Sequence, residues 1–324
     1  MCSASGPPNS GRRAAAAQQR GIRMATRTPR PAPREVPVID GIAELASGFD
    51  VILCDVWGVL HDGLRAHRSA SEALSRFRAL PGERPRRVVL VSNAPRPGEA
   101  VRAQLDGFGV PREAYDGIVT SGDLTRALIE ARPGAPLYHL GPERDLPIFE
   151  GLSVRRAPPE EAAQVVCTGL FDDEVETAED YRPVLAGLSA RGLPMICANP
   201  DLVVERGARL IPCAGALAGL YEALGGEVIY AGKPHRPVYE AALAKAAAVD
   251  GAAPAAPERV LAVGDAIRTD IAGASGFGIA SVLVARGIHA EELGCHAGEP
   301  VGEIAHWLEG QPVHPDAVID LLRW

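Results

Sequence analysis

From residue 38 the chain alternates short, near-continuous apolar runs with stretches whose apolar residues recur at helical spacing. The runs Val51 to Cys54, Arg87 to Val91, Gly117 to Thr120, Leu137 to Leu140, Gln164 to Thr168, Met195 to Ala198, Val228 to Ala231, Val260 to Val263 and Ser281 to Val284 predict strands. Apolar residues fill these runs rather than alternating with polar ones, which predicts strands buried on both faces of a mostly parallel sheet. Between them, Ala70 to Leu80, Gly98 to Phe108, Asp123 to Glu130, Asp180 to Ala190, Ala214 to Leu224 and Pro237 to Val249 read as helices. The fold class is therefore α/β. His314 to Trp324 reads as a short amphipathic helix packed on the core, with a partner contact as the alternative.

Several predicted strands end on a polar side chain: Asp55, Ser92 with Asn93, Lys233 and Asp265. Open α/β sheets bind ligands outside the carboxyl ends of their strands, so these groups should gather at one edge. A carboxylate at a strand end beside the glycine-containing turn after Asp55 can attack an electrophile, or it can simply cap the turn. Asp265 and Asp270, in a turn before a helix-like segment, suit one hard cation, with helix capping as the alternative for Asp270. Ser92 and Asn93 offer a hydroxyl and an amide to a phosphoryl oxygen, or shape a turn. The chain has only two lysines, Lys233 and Lys245, against 31 arginines. A lysine at a strand end in such a chain suggests a need for a compact ammonium, whereas Lys245 reads as a solvated helix residue.

Length and composition narrow the picture. A chain of 324 residues is long enough for two domains. A net charge of -8 lacks the basic excess that nucleic acid or an anionic membrane requires, and no apolar run is long enough to span a bilayer. Small-molecule partners are favoured, and the oligomeric state is not legible. The six cysteines form no CxxC pair, and Cys54, Cys167 and Cys197 sit inside apolar runs. Buried, reduced thiols and a cytoplasmic location follow. Residues 1 to 37 begin with an arginine-rich segment that has no acid before Glu35. This reads as a disordered leader or an extension ahead of Met24, with a transit peptide as the alternative.

Taken together and in this order, Asp55, Ser92, Lys233 and the pair Asp265 and Asp270 resemble the four motifs of the haloacid dehalogenase superfamily: a nucleophilic Asp, a Ser/Thr, a Lys and an acidic pair. The resemblance covers residues 40 to 308. The long insert between the second and third motifs, with Ala198-Asn199-Pro200-Asp201 and Gly215-Ala216-Leu217, is similar to the α/β cap of the p-nitrophenylphosphatase-like branch. The resemblance implies a Rossmann-like core over 38 to 135 and 227 to 310 and an α/β specificity cap over 136 to 226; the remaining 311 to 324 holds the C-terminal helix expected from its apolar pattern. It also implies Mg²⁺ held by Asp55, the backbone carbonyl of Trp57 and Asp265, supported by Asp270. Asp55 would form an aspartyl-phosphate from a small phosphorylated metabolite, while Ser92 and Lys233 hold the phosphoryl oxygens.

The phosphatases of this superfamily carry a second Asp at the position of Trp57, where it protonates the leaving group. Indole cannot do so, and general acid-base help is worth about 10²- to 10⁴-fold in rate. Three readings stay open. Another group, His61, Asp62 or His235, supplies the proton; the substrate has a leaving group that needs none; or the reaction is dehalogenase-like, against which the intact acidic pair argues. A protein of a different class, one that binds a phosphorylated ligand and has lost catalysis, is also open.

Overall fold

The computed structural model describes residues 36–206, 209–251, 253–295 and 304–324; the leader expected over residues 1 to 37 lies, up to residue 35, outside them. Among the described residues thirteen strands run in chain order: β1 (Val38–Ile39), β2 (Val51–Cys54), β3 (Arg87–Ser92), β4 (Gly117–Thr120), β5 (Leu137–Leu140), β6 (Gln164–Cys167), β7 (Met195–Cys197), β8 (Val203–Arg206), β9 (Arg209–Pro212), β10 (Val228–Tyr230), β11 (Val260–Gly264), β12 (Ala280–Val284) and β13 (Ala317–Ile319). The first sheet has the order β1-β13-β12-β11-β2-β3-β4, and every pairing in it is parallel. A second parallel sheet runs β10-β7-β6-β5, and β8 with β9 forms an antiparallel hairpin.

The apolar runs explain the layering. Successive strand residues point to opposite faces, so Ile52, Cys54, Val88, Leu90, Leu261 and Val263 enter one core with Leu74, Phe77 and Leu105. Their alternates Val51, Leu53, Val89, Val91 and Val260 enter another with Val238, Tyr239 and Ala242. The helix Arg68–Arg78 buries Ala70, Ala73, Leu74 and Phe77, the stripe one face of a helix presents. Helix Ser121–Glu130 starts at a capping box, in which Thr120 and Asp123 satisfy each other's backbone N–H groups.

Two expected boundaries are corrected. β10 lies inside the 227 to 310 segment assigned to the core, yet it pairs with β7 in the second sheet. The chain therefore returns to the first sheet only after Tyr230. The C-terminal helix expected over 311 to 324 is absent: Ala317–Ile319 is a strand between β12 and β1, with Val318 fully buried. Asp316 fixes its register by accepting from Ser281 N–H at 3.0 Å while its own N–H donates to the Ser281 carbonyl at 2.9 Å. A short apolar run that can complete a ladder beside an open edge gains more than one helical turn could. Among the described residues no helix is long and apolar enough to cross a membrane. Cys54, Cys167, Cys197 and Cys213 are free and buried, and Cys295 is buried.

Because Val318 is packed inside the sheet layer, Val318→Ala is expected to lower the unfolding free energy by about 2 kcal/mol. Urea denaturation should show the midpoint moving with the slope unchanged. A change below about 0.5 kcal/mol, as at a solvated position, would contradict the assignment of this segment to the core.

Candidate active site

Three adjacent strands deliver the site. Asp55 follows β2, Ser92 closes β3 and Asp265 follows β11, so all three lie at the carboxyl edge of the first sheet. Lys233 arrives from the opposite direction, on the segment that returns from β10. Its ammonium donates to Asp55 Oδ1 and, at 2.8 Å, to Asp270 Oδ1. Asp55, Asp265 and Asp270 each bring a carboxylate oxygen within 4.8 Å of the others. All three acids and Lys233 are buried.

The local backbone is built to let these groups approach. Gly58 has φ +82°, and a Cβ there would lie 2.0 Å from Asp265 Oδ2, so only glycine serves. Asp265 Oδ2 accepts from Ile288 N–H at 2.8 Å, and Asp270 Oδ2 accepts from Ala266 N–H at 3.2 Å. Burial, against the pull of Lys233, pushes Asp55 up to about 7, and burial with the neighbouring Asp55 and Asp270 charges pushes Asp265 well above the carboxylate range. For Lys233 burial acts to lower the pKa, but Asp270, Asp55 and Asp201 outweigh it and hold the ammonium well above its ordinary value. Three buried carboxyl groups beside one ammonium bring hard oxygen donors together. That donor set fits a divalent cation such as Mg²⁺.

The remaining predicted residues separate. Ser92 Oγ accepts from Ala94 N–H at 3.2 Å and faces a cavity adjoining that of Asp55. Asn93, expected to bind substrate, is saturated by the protein. Its Nδ2 donates to Asp201 Oδ1 at 2.9 Å and to the Lys233 carbonyl at 3.1 Å, while its Oδ1 accepts from Lys233 N–H at 2.8 Å and Ser121 Oγ at 3.2 Å. An amide has no further capacity for a phosphoryl oxygen. Asn93 positions Lys233 instead.

None of the three expected substitutes for the missing acid is poised as a proton donor. His61 packs edge-on against Trp57 and beside Phe108, and its Nδ1 accepts from Gly63 N–H at 3.0 Å. Burial, with the His67 charge, drives its pKa down to about 4, so the ring is neutral. Asp62 lines the Asp55 cavity, but its Oδ1 accepts from Leu64 N–H at 2.8 Å and Arg65 N–H at 2.7 Å. Partial burial acts to raise this carboxyl, and those backbone bonds overcome it and hold the pKa below the usual value. His235 precedes the helix Arg236–Ala248 and stacks on Tyr230 at 4.8 Å; it lines a neighbouring cavity that includes neither Asp55 nor Lys233, and burial holds its pKa below the ordinary value.

Sequence reasoning left two residues without roles. Asp201, at the end of the Asn-Pro-Asp segment after β7, lines the Asp55 cavity, and burial pushes it up to about 6 despite Lys233 and Asn93. Arg96 lies beyond Ser92 in the adjoining cavity. The strand-end position of Asn-Pro-Asp was the available signal for Asp201, whereas Arg96 had none among so many arginines.

A family model described as haloacid dehalogenase-like hydrolase matches residues 52–155, and one described as HAD-hydrolase-like matches residues 230–323. The chain is similar to D-glycerol 3-phosphate phosphatase of Mycobacterium tuberculosis, with 30% identity over 265 residues, 79% of this chain and 68% of that protein. Ribonucleotide monophosphatase NagD of Escherichia coli is 29% identical over 250 residues, 73% of this chain and 88% of NagD. A crystal structure of a haloacid dehalogenase-like family hydrolase from Brucella suis 1330 superposes with a TM-score of 0.77 at 44% identity, covering 88% of this chain and 100% of that one.

The His61 environment makes a pH prediction. An unfolded imidazole titrates near about 6.5, whereas His61 in the fold titrates at about 4. Between those values the unfolded chain takes up a proton that folded His61 refuses. The ring's contribution is thus complete above about pH 6.5 and is lost as the pH falls toward about 4. The stability advantage of wild type over His61→Gln should therefore shrink by about 2 to 3 kcal/mol between pH 7 and 4.5 in urea titrations. An NMR titration placing His61 near its ordinary value would contradict the buried, neutral assignment.

Proposed function

The chain belongs to the haloacid dehalogenase-like hydrolases, in the p-nitrophenylphosphatase-like branch that includes NagD, and we propose that it is a Mg²⁺-dependent phosphatase of a small phosphorylated metabolite. The observation that carries this reading is Lys233 set between Asp55 and Asp270, with Asp265 beside them, at the carboxyl edge of the sheet. The buried thiols of Cys54, Cys167, Cys197 and Cys213 fit a reducing compartment, in keeping with a cytoplasmic enzyme.

Asp55 attacks phosphorus, the ester or anhydride P–O bond breaks, and an aspartyl-phosphate forms that water then hydrolyses. Lys233, whose ammonium stays charged, and the Ser92 hydroxyl hold the phosphoryl oxygens. Asp270 fixes Lys233 from the far side, and Asn93 fixes its backbone. Asp55, Asp265 and the Trp57 carbonyl would hold Mg²⁺, with Asp270 in support. When bound, the metal neutralises charge on the transferring phosphoryl group.

Trp57 offers no proton, and His61, Asp62 and His235 are arranged for other tasks. The reading in which the leaving group needs no acid is therefore preferred: acyl and aryl phosphates over alkyl phosphates. A panel of phosphoesters and acyl phosphates, with Mg²⁺ and EDTA arms, tests it. Acetyl and p-nitrophenyl phosphate are expected to exceed alkyl phosphates by at least about 10²-fold in kcat/KM. Asp55→Asn and EDTA should each abolish turnover. Activity surviving Asp55→Asn would sink the covalent mechanism, and EDTA-insensitive activity would favour a dehalogenase-like reaction. Tight Mg²⁺-dependent binding without turnover on any substrate would identify a ligand-binding protein.

A further inference from the structure

Beside the cavity of Asp55 and Lys233 lies a second one of about 290 Å³. The linings of the two share Trp57, Asp201 and Val204, so the second cavity continues the first past the indole. Ser92 faces it from the core, and β8, β9 and the segment around Arg144 close it from the cap side. A substrate with its phosphoryl group at Asp55 has room to extend its other end into this space.

Three arginines line the second cavity, and they are not equivalent. Arg144 and Arg206 share Asp173, at 2.5 and 3.3 Å. Arg96 has only a neutral partner: its Nη2 donates to Gln104 Oε1 at 2.8 Å, and among the described residues no carboxylate oxygen comes within 4.0 Å of it. Burial lowers its pKa, with the more distant Asp145 acting against this. A guanidinium keeps its charge even so, and a partly desolvated one without an anion is costly.

The position is held firmly. The Arg96 carbonyl accepts from Thr120 Oγ1 at 2.7 Å, and a Cβ on Gly122 would lie 2.4 Å from the Arg96 backbone. One amide partner leaves most of the guanidinium fork unused on the loop that follows Ser92. We infer that Arg96 is a specificity residue that reads a second anionic group, a carboxylate or a phosphate, at the end of the substrate remote from the scissile phosphoryl group. This rests on the phosphatase reading above, and it narrows the substrate class to small phosphorylated compounds that carry another anion.

The test compares 4-carbamoylphenyl phosphate, 4-carboxyphenyl phosphate and 1,4-phenylene bisphosphate in wild type, Arg96→Ala and Arg96→Lys. Wild type should favour at least one anionic substrate over the carbamoyl compound by about 10- to 100-fold in kcat/KM, mainly through KM. Arg96→Ala should collapse that ratio toward one, and Arg96→Lys should keep part of it. Whether the carboxylate or the bisphosphate is preferred tells which anion is read. No preference in wild type, or an equal loss on all three substrates in Arg96→Ala, would overturn the inference, the latter because a purely structural role lowers every substrate together. If nothing is turned over, the phosphatase reading fails separately, and calorimetric binding of the same compounds to Asp55→Asn with Mg²⁺ decides. An anion preference there that Arg96→Ala removes upholds the role; equal binding or none overturns it.

Discussion

The buried ammonium of Lys233 is the interaction on which the rest of the site depends. It joins the carboxylate after β2 to the one in the turn after β11, and these two acids could not stay charged side by side without it. Removing one member of such a buried group typically costs about 3 to 5 kcal/mol, because the charges left behind lose their partner. The same residue is gripped through its backbone by Asn93, which in turn holds Asp201 on the segment leaving β7. A single hydrogen-bonded chain thus runs from the second sheet to Asp55 in the first.

Trp57 divides the space around that chain. Its ring rests on His61 and closes over Gly63, where a Cβ would lie 2.6 Å from the indole. The indole lines both the cavity of Asp55 and Lys233 and the one that holds Arg96, so an apolar side chain stands where the two meet.

Much of this was legible in the residues. Near-continuous apolar runs such as Val51 to Cys54 and Val260 to Val263 marked the buried parallel strands, and the strand-end rule brought Asp55, Ser92 and Asp265 to one edge, where Lys233 joins them from the second sheet. The misreadings have physical causes. β1 and β13 are two or three residues long and gain their structure from each other and from β12 rather than from local propensity. β10 was read as core because an apolar strand carries no label for the sheet it joins. Asn93 was assigned to substrate because a sequence does not show that both ends of an amide are already bonded. The uneven pairing of Arg96 and its neighbours likewise exists only once the cap has folded over the loop.

The pairing of β1 with β13 also bears on how the protein is made. The second sheet and its hairpin use one continuous stretch of chain, so they can assemble while synthesis continues. The first sheet cannot: β2, β3 and β4 emerge early, but β2 waits for β11, and β1 has no partner until β13 has been translated. Through that interval an apolar sheet edge stands open on the ribosome, a hazard for aggregation. Asp55 and Ser92 are thus made long before the strand that brings Asp265 beside them. The insert can be folded while Asp55 and Asp265 are still apart.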